Sequence, residues 1–217
     1  MRTGRPRAFC LDEAVAKAMP IFWRKGYEGA SIADLTEAIG INPPSLYAAF
    51  GSKEGLFRAV LDRYEQERKD DLDKILAAPT ARATAELYLA KVAEGVTSTD
   101  GKHPPGCLII QSGQGCGDAA IPEMTTRLRA AKELALRERF ERARKQGDLP
   151  KSADPAVLAR YIMTIANGMA MQATAGATEK ELRDVAKVAI LAWPAGEAAQ
   201  PKAKKPRDKT QAARASA

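Results

Sequence analysis

Ser45 and Tyr47 are the only side chains that can hydrogen-bond in the run Pro43-Pro44-Ser45-Leu46-Tyr47-Ala48-Ala49-Phe50, and no charge interrupts it. A helix opening in this way is poorly equipped to hold phosphate. Pro43 and Pro44 carry no N–H, and Asn42, in capping position, can occupy the N–H of Ser45. Free N–H groups at a helix start are what normally attract an anion. Such an end is better suited to base edges, through apolar contact with groups such as thymine methyls. Phosphate anchors must then come from elsewhere. Ser31, the Tyr47 hydroxyl and Lys53 are the candidates, with Arg2, Arg5 and Arg7 forming a short basic arm of the kind that enters a minor groove.

Other chemistry is sparse. His103 is the single histidine and lies in a Pro-rich loop, without a surrounding nucleophile or carboxylate constellation. No P-loop, paired-carboxylate spacing or metal-ligand spacing occurs, so no cofactor, no metal and no catalysis are expected. Gly113, Gly115 and Gly117 form a Gly-x-Gly-x-Gly run, but no strand precedes it, which argues against a dinucleotide site. Cys10, Cys107 and Cys116 are too few and too widely spaced for a disulfide framework. Cys107 opens a short apolar stretch, where a helix N-terminus would make its thiol more reactive.

The elements that must position these residues are helical. Leu, Ala, Arg, Lys and Glu dominate, aromatics are few, and strand-like alternation of Val, Ile and Thr is missing. Ser31 caps a first helix carrying Ile32, Leu35 and Ile39, and Gly40 ends it. Asn42 caps a second with Leu46, Tyr47 and Phe50 along one edge. Two capped helices joined by Gly40-Ile41-Asn42 have the outline of a helix-turn-helix DNA reader. A preceding helix over about Leu11–Lys25 presents Leu11, Val15, Ala18 and Phe22, contains Pro20, which should bend it, and stops at Gly26. A fourth, capped by Ser52, carries Leu56, Phe57, Val60, Leu61 and Tyr64 and runs past residue 70.

The remainder also reads as helices: Thr84–Val96, a short one from Cys107, a long Glu123–Gln146 with Leu128, Leu134, Leu136 and Phe140 inward, an Ala156–Thr174 helix apolar on nearly all sides, and Glu179–Trp193. A loop spans Asp100–Gly106, and Gly147-Asp148-Leu149-Pro150 ends the long helix. The net charge of +7 is uneven: residues 1–68 carry ten basic against nine acidic side chains, and residues 195–217 six against two. That tail lacks large apolar residues and is expected to be disordered. No apolar run approaches a membrane span, so a cytoplasmic protein, nucleoid-associated when on DNA and with no membrane partner, is expected.

Trp23-Arg24-Lys25-Gly26-Tyr27, Ser31-Ile32-x-x-Leu35, Gly40-Ile41, Leu46-Tyr47-x-x-Phe50 and Ser52-Lys53-Glu54-x-Leu56-Phe57 together resemble the DNA-binding domain of the TetR family of bacterial transcription regulators, over roughly residues 8–64. Cys10 stands where the family often has a better cap, and Ala48 and Ala49 where bulkier side chains are often found. The resemblance places Pro43, Pro44, Ser45, Tyr47 and Ala49 on the groove-facing surface. Pro-Pro-Gly-Cys-Leu, Gly-Asp-Leu-Pro and Asn-Gly-Met further resemble a C-terminal domain of part of that family, which serves effector binding and homodimerisation.

An all-α chain therefore follows: a basic arm at 1–8, a three-helix reader at 9–52, an effector-binding and dimerisation domain at 53–194 entered through the fourth helix, and a basic tail at 195–217. The expected function is a repressor binding a palindromic double-stranded DNA operator as a homodimer, through the last two helices, and released by an unknown small-molecule effector. Candidate effector contacts are Cys107, Ile110, Gln111, Met163, Asn167 and Met171. Rival readings are a repressor that senses oxidants or electrophiles through Cys107, and a helical interaction module that does not touch DNA.

Overall fold

The computed structural model describes residues 10–98, 103–112 and 119–194. Arg2, Arg5, Arg7, Cys116, the three-glycine run and the basic tail lie outside them. Nine helices follow one another among the described residues: α1 Leu11–Gly29, α2 Ile32–Ile39, α3 Pro43–Phe50, α4 Lys53–Leu76, α5 Ala81–Thr97, α6 Leu108–Ser112, α7 Ala120–Lys145, α8 Pro155–Thr174 and α9 Glu179–Leu191.

Side-chain oxygens at the helix starts set most of these boundaries. Ser31, Asn42, Ser52, Thr80, Asp154 and Thr178 each accept an N–H from the first turn of the helix that follows. Thr80 starts α5 three positions earlier than the apolar pattern alone indicates. The long helix α7 begins at Ala120 and takes in Pro122 at its third position, where an N–H has no partner within the helix anyway. Cys10 makes no side-chain cap for α1. Backbone angles in α1 leave the helical region at Gly26 (φ 67°, ψ 176°) and not at Pro20, so the glycine breaks the helix and one further turn reaches Gly29.

Two apolar cores are built. The first holds Phe22, Trp23, Leu35, Leu46, Leu56 and Phe57. Phe57 meets Phe22 edge-on at 5.0 Å and Tyr27 at 5.3 Å, which fixes α4 across α1. The first half of α4 belongs to this core although it lies beyond the division at residue 52, and so do Leu108 and Ile109 of α6 and Ile121 and Met124 of α7. The second core gathers Leu89, Leu136, Phe140, Ile162, Met169, Leu182 and Trp193 from α5, α7, α8, α9 and the segment after α9. Its corner is polar: Asp148 in the turn after α7 accepts the Ala81 N–H at 2.5 Å, and the buried Arg139 donates to Ala78 O at 2.8 Å.

Three expectations of burial fail. Leu11 and Leu134 are each 51% exposed, at a helix start and on the outer side of α7. The α8 helix is not apolar-buried on nearly all sides, because Val157 and Met171 face outward at 62% and 50% exposure.

Candidate nucleic-acid interface and internal cavity

A tight set of local bonds holds the reader. Ser31 Oγ accepts the Asp34 N–H at 3.1 Å while the Asp34 carboxylate accepts the Ser31 N–H at 3.0 Å and its hydroxyl at 2.7 Å. Lys25 of α1 then closes on Asp34 at 2.6 Å, tying α1 to the start of α2. Gly40 ends α2 in the left-handed region (φ 83°, ψ 37°), a conformation a side chain would strain, and Lys17 donates to the free carbonyl of Ile39 at 3.3 Å. Asn42 Oδ1 takes the Ser45 N–H at 2.9 Å with both prolines ahead of it, leaving no free N–H among the first three helical positions for phosphate.

The ion pair with Lys25 and the bonds from Ser31 hold the Asp34 carboxyl down at about 2. A depressed carboxyl stabilises the fold fully above its unfolded value, near 3.8, and that contribution disappears as pH falls toward 2. Asp34→Asn should therefore melt below the wild type at pH 6, and the gap should close between pH 4 and 2 in thermal melts. A gap unchanged over that range would show that the carboxylate charge plays no part.

Leu46 is fully buried and anchors α3, so the opposite side of this short helix faces solvent. Pro43, Pro44, Ser45, Tyr47 and Ala48 are exposed and Ala49 half-buried, with Tyr47 at 46%. Ser31 lies exposed at the start of α2. Lys53, half-buried, places its ammonium 4.4 Å above the Tyr27 ring and 3.5 Å from Glu28 O.

The second feature is a cavity of about 580 Å³ walled by α4 to α8. Cys107, Ile110, Met163 and Asn167 line it. Gln111 and Met171 do not. Gln111 is turned to a separate cleft beside Trp23 and Gly26, where it donates to Pro105 O at 3.0 Å, and Met171 is on the outer surface. Residues the sequence did not single out complete the wall: Tyr64 and Arg68 from α4, Tyr88 and Val92 from α5, and Lys132 from α7. Tyr64 was legible only as part of an apolar stripe, and nothing local marked Tyr88. The Arg68 guanidinium stacks 3.6 Å over Tyr64, while Trp23 of α1 meets the same ring edge-on at 5.2 Å. The cavity wall and the reader thus touch directly. Among the described residues no group of His, Cys, Asp and Glu could hold a metal, and no helix is long and apolar enough to cross a membrane.

Residues 14–60 match the profile of the bacterial regulatory proteins, tetR family. The HTH-type transcriptional repressor ComR of Escherichia coli (strain K12) is 36% identical over 197 residues, which cover 88% of this chain and 92% of ComR. The chain belongs to the TetR family. A second family member, the repressor BdcR of the same organism, is 39% identical over 108 residues, half of this chain. Among solved TetR structures, a cysteine mutant of the regulator CifR complexed with 26 bp operator DNA superposes with a TM-score of 0.81 at 39% identity, covering 88% of this chain and all of that one.

Proposed function

We propose that this chain is a transcriptional repressor that grips a palindromic operator as a homodimer and lets go when a small molecule fills the cavity between α4 and α8. The observation that carries the reading is the exposed face of α3, capped by Asn42 and its two prolines, on a fold shared with an operator-bound relative. In this reading Pro43, Pro44, Ser45 and Ala49 face base edges. Ser31, Tyr47 and Lys53 hold the backbone, Lys53 leaving the Tyr27 ring for a phosphate. Arg2, Arg5 and Arg7 read the neighbouring minor groove and carry much of the specificity through DNA shape.

Release needs a ligand that binds the two conformations of the dimer unequally, since equal affinity shifts nothing. Cys107 supports a second reading, because its sulfur lines the cavity 3.4 Å from the Tyr64 hydroxyl. That reading is weaker. Helix α6 has only five residues and so offers the thiol little dipole.

Fluorescence anisotropy with a duplex from the chain's own upstream region tests the proposal. Binding should be steeply salt-dependent. Lys53→Met should lower the slope of log affinity against log salt by roughly 0.9, one phosphate's worth. Removing residues 1–7 should reduce discrimination between operator and random duplex. Failure to bind any duplex at low salt would sink the proposal.

A further inference from the structure

Two phenol hydroxyls face the same cavity without a good acceptor. Tyr64 and Tyr88 are 4% and 8% exposed. Among the described residues the Tyr64 hydroxyl meets only Cys107 Sγ, at 3.4 Å, and the Tyr88 hydroxyl only Met163 Sδ, at 3.2 Å. Sulfur is a weak acceptor, and buried hydroxyls normally find oxygen or nitrogen. Tyr161 in the same domain does, donating to Ala189 O at 2.9 Å. Burial pushes both cavity phenols above their ordinary range, so they remain protonated donors.

Most of the basic side chains around the mouth are already committed to a carboxylate or a ring, while Arg129 donates to the neutral Thr126 hydroxyl at 3.1 Å. Lys132 is held by Glu65 at 2.8 Å, Lys91 by Asp71 at 3.1 Å, and Lys69 by Asp73 at 2.5 Å. Arg68 is spread over the Tyr64 ring and donates to that residue's carbonyl at 3.1 Å. A buried anion would have to break one of these pairs, draw Arg68 off its ring or turn Arg129 from Thr126. A neutral acceptor breaks none. The walls between are apolar, with Ile110 and Val92 among them.

Resting on the reading of this cavity as the effector site, we infer that its ligand is an uncharged, largely apolar small molecule carrying one hydrogen-bond-accepting oxygen, of the ketone, aldehyde or ester class, which replaces sulfur as partner of the Tyr64 and Tyr88 hydroxyls. Three probes of one skeleton separate the possibilities: acetophenone, ethylbenzene and benzoate, titrated calorimetrically into the full chain. Acetophenone should bind about tenfold tighter than ethylbenzene, and benzoate weakest. In the Tyr64→Phe/Tyr88→Phe double variant the acetophenone preference should fall close to one while ethylbenzene binds as before. The unliganded double variant should melt no lower than the wild type, because each lost hydroxyl had only sulfur to bond.

Equal binding of acetophenone and ethylbenzene, a preference that survives in the double variant, or no binding by any probe overturns the inference. Tightest binding by benzoate does so too, and assigns the site to an anion held by Arg68. Operator affinity measured alongside keeps the two readings apart. Acetophenone that binds through the tyrosines without weakening operator binding leaves the ligand class standing and removes the release mechanism.

Discussion

On the proposed homodimer, Val188→Asp with Leu191→Asp should yield a monomer and lower operator affinity by about a hundredfold or more, with little change in the fold. Both side chains stand on the open face of α9, at 66% and 80% exposure, and Val185, one turn earlier, is 48% exposed. Val157 and Met171 of α8 extend the apolar surface, and a groove beside Gly168 and Ile165 runs between the two helices. Large apolar side chains exposed on two neighbouring helices signal a partner. Two antiparallel helix pairs brought together by a twofold axis would close it as a four-helix bundle. Two carboxylates facing their own copies there would be desolvated without counterions, which costs several kcal/mol per subunit pair. Operator binding suffers because one reader alone loses the effective concentration supplied by its linked partner, an effect of order 10²–10⁴. Sedimentation velocity and anisotropy measure the two consequences. A variant that stays dimeric, or a monomer that keeps its operator affinity, would refute the assignment of this face.

How much was legible in the sequence depends on the distance over which each feature is decided. Ser31, Asn42 and Ser52 act on N–H groups three residues away, so type and spacing sufficed to place the reader's helices and its proline-blocked end. The glycine at 40 was legible for the same reason. Long-range features were not. Asp148 reaches the start of α5 across 67 residues, and Tyr88 meets Met163 across 75. Which side of a short apolar helix meets which core was also hidden. One step along α6 turns a side chain by about 100°, which takes Ile110 into the cavity and Gln111 out of it. On α8 the stripe Met163, Ala166, Asn167, Ala170 follows the helical period along the cavity wall, and Met171 falls beyond its edge. Apolar character misled at Leu11 and Leu134 because an exposed leucine costs little and leaves no local mark.

Ile109→Ala should uncouple ligand from DNA. Helix α6 sits between the two cores: Leu108 and Ile109 belong to the reader's core, Ile110 to the other, and Cys107 packs against both. The Gly106 N–H, just ahead of it, is bonded to Val96 O at 2.7 Å, so the segment is also fixed to α5. Ile109 is 1% exposed and lines the cavity as well. A ligand that repositions α6 therefore presses on α1 through this side chain, and a void in its place absorbs the displacement. Truncation of a buried isoleucine costs about 2–5 kcal/mol, equivalent to a drop of roughly 5–15 °C in melting temperature. Stability alone is not diagnostic. On the proposed release mechanism, the distinguishing measurement is operator affinity with and without an effector that releases the wild type. In Ile109→Ala the unliganded affinity should stay within about threefold of wild type, while the ligand's effect, normally worth about 1–3 kcal/mol, should fall close to zero. Ile109→Val, which removes one methylene and keeps most of the contact, should retain most of the coupling. Full ligand response in the alanine variant would mean that the signal reaches the reader by another route, the Tyr64–Trp23 contact being the next to remove.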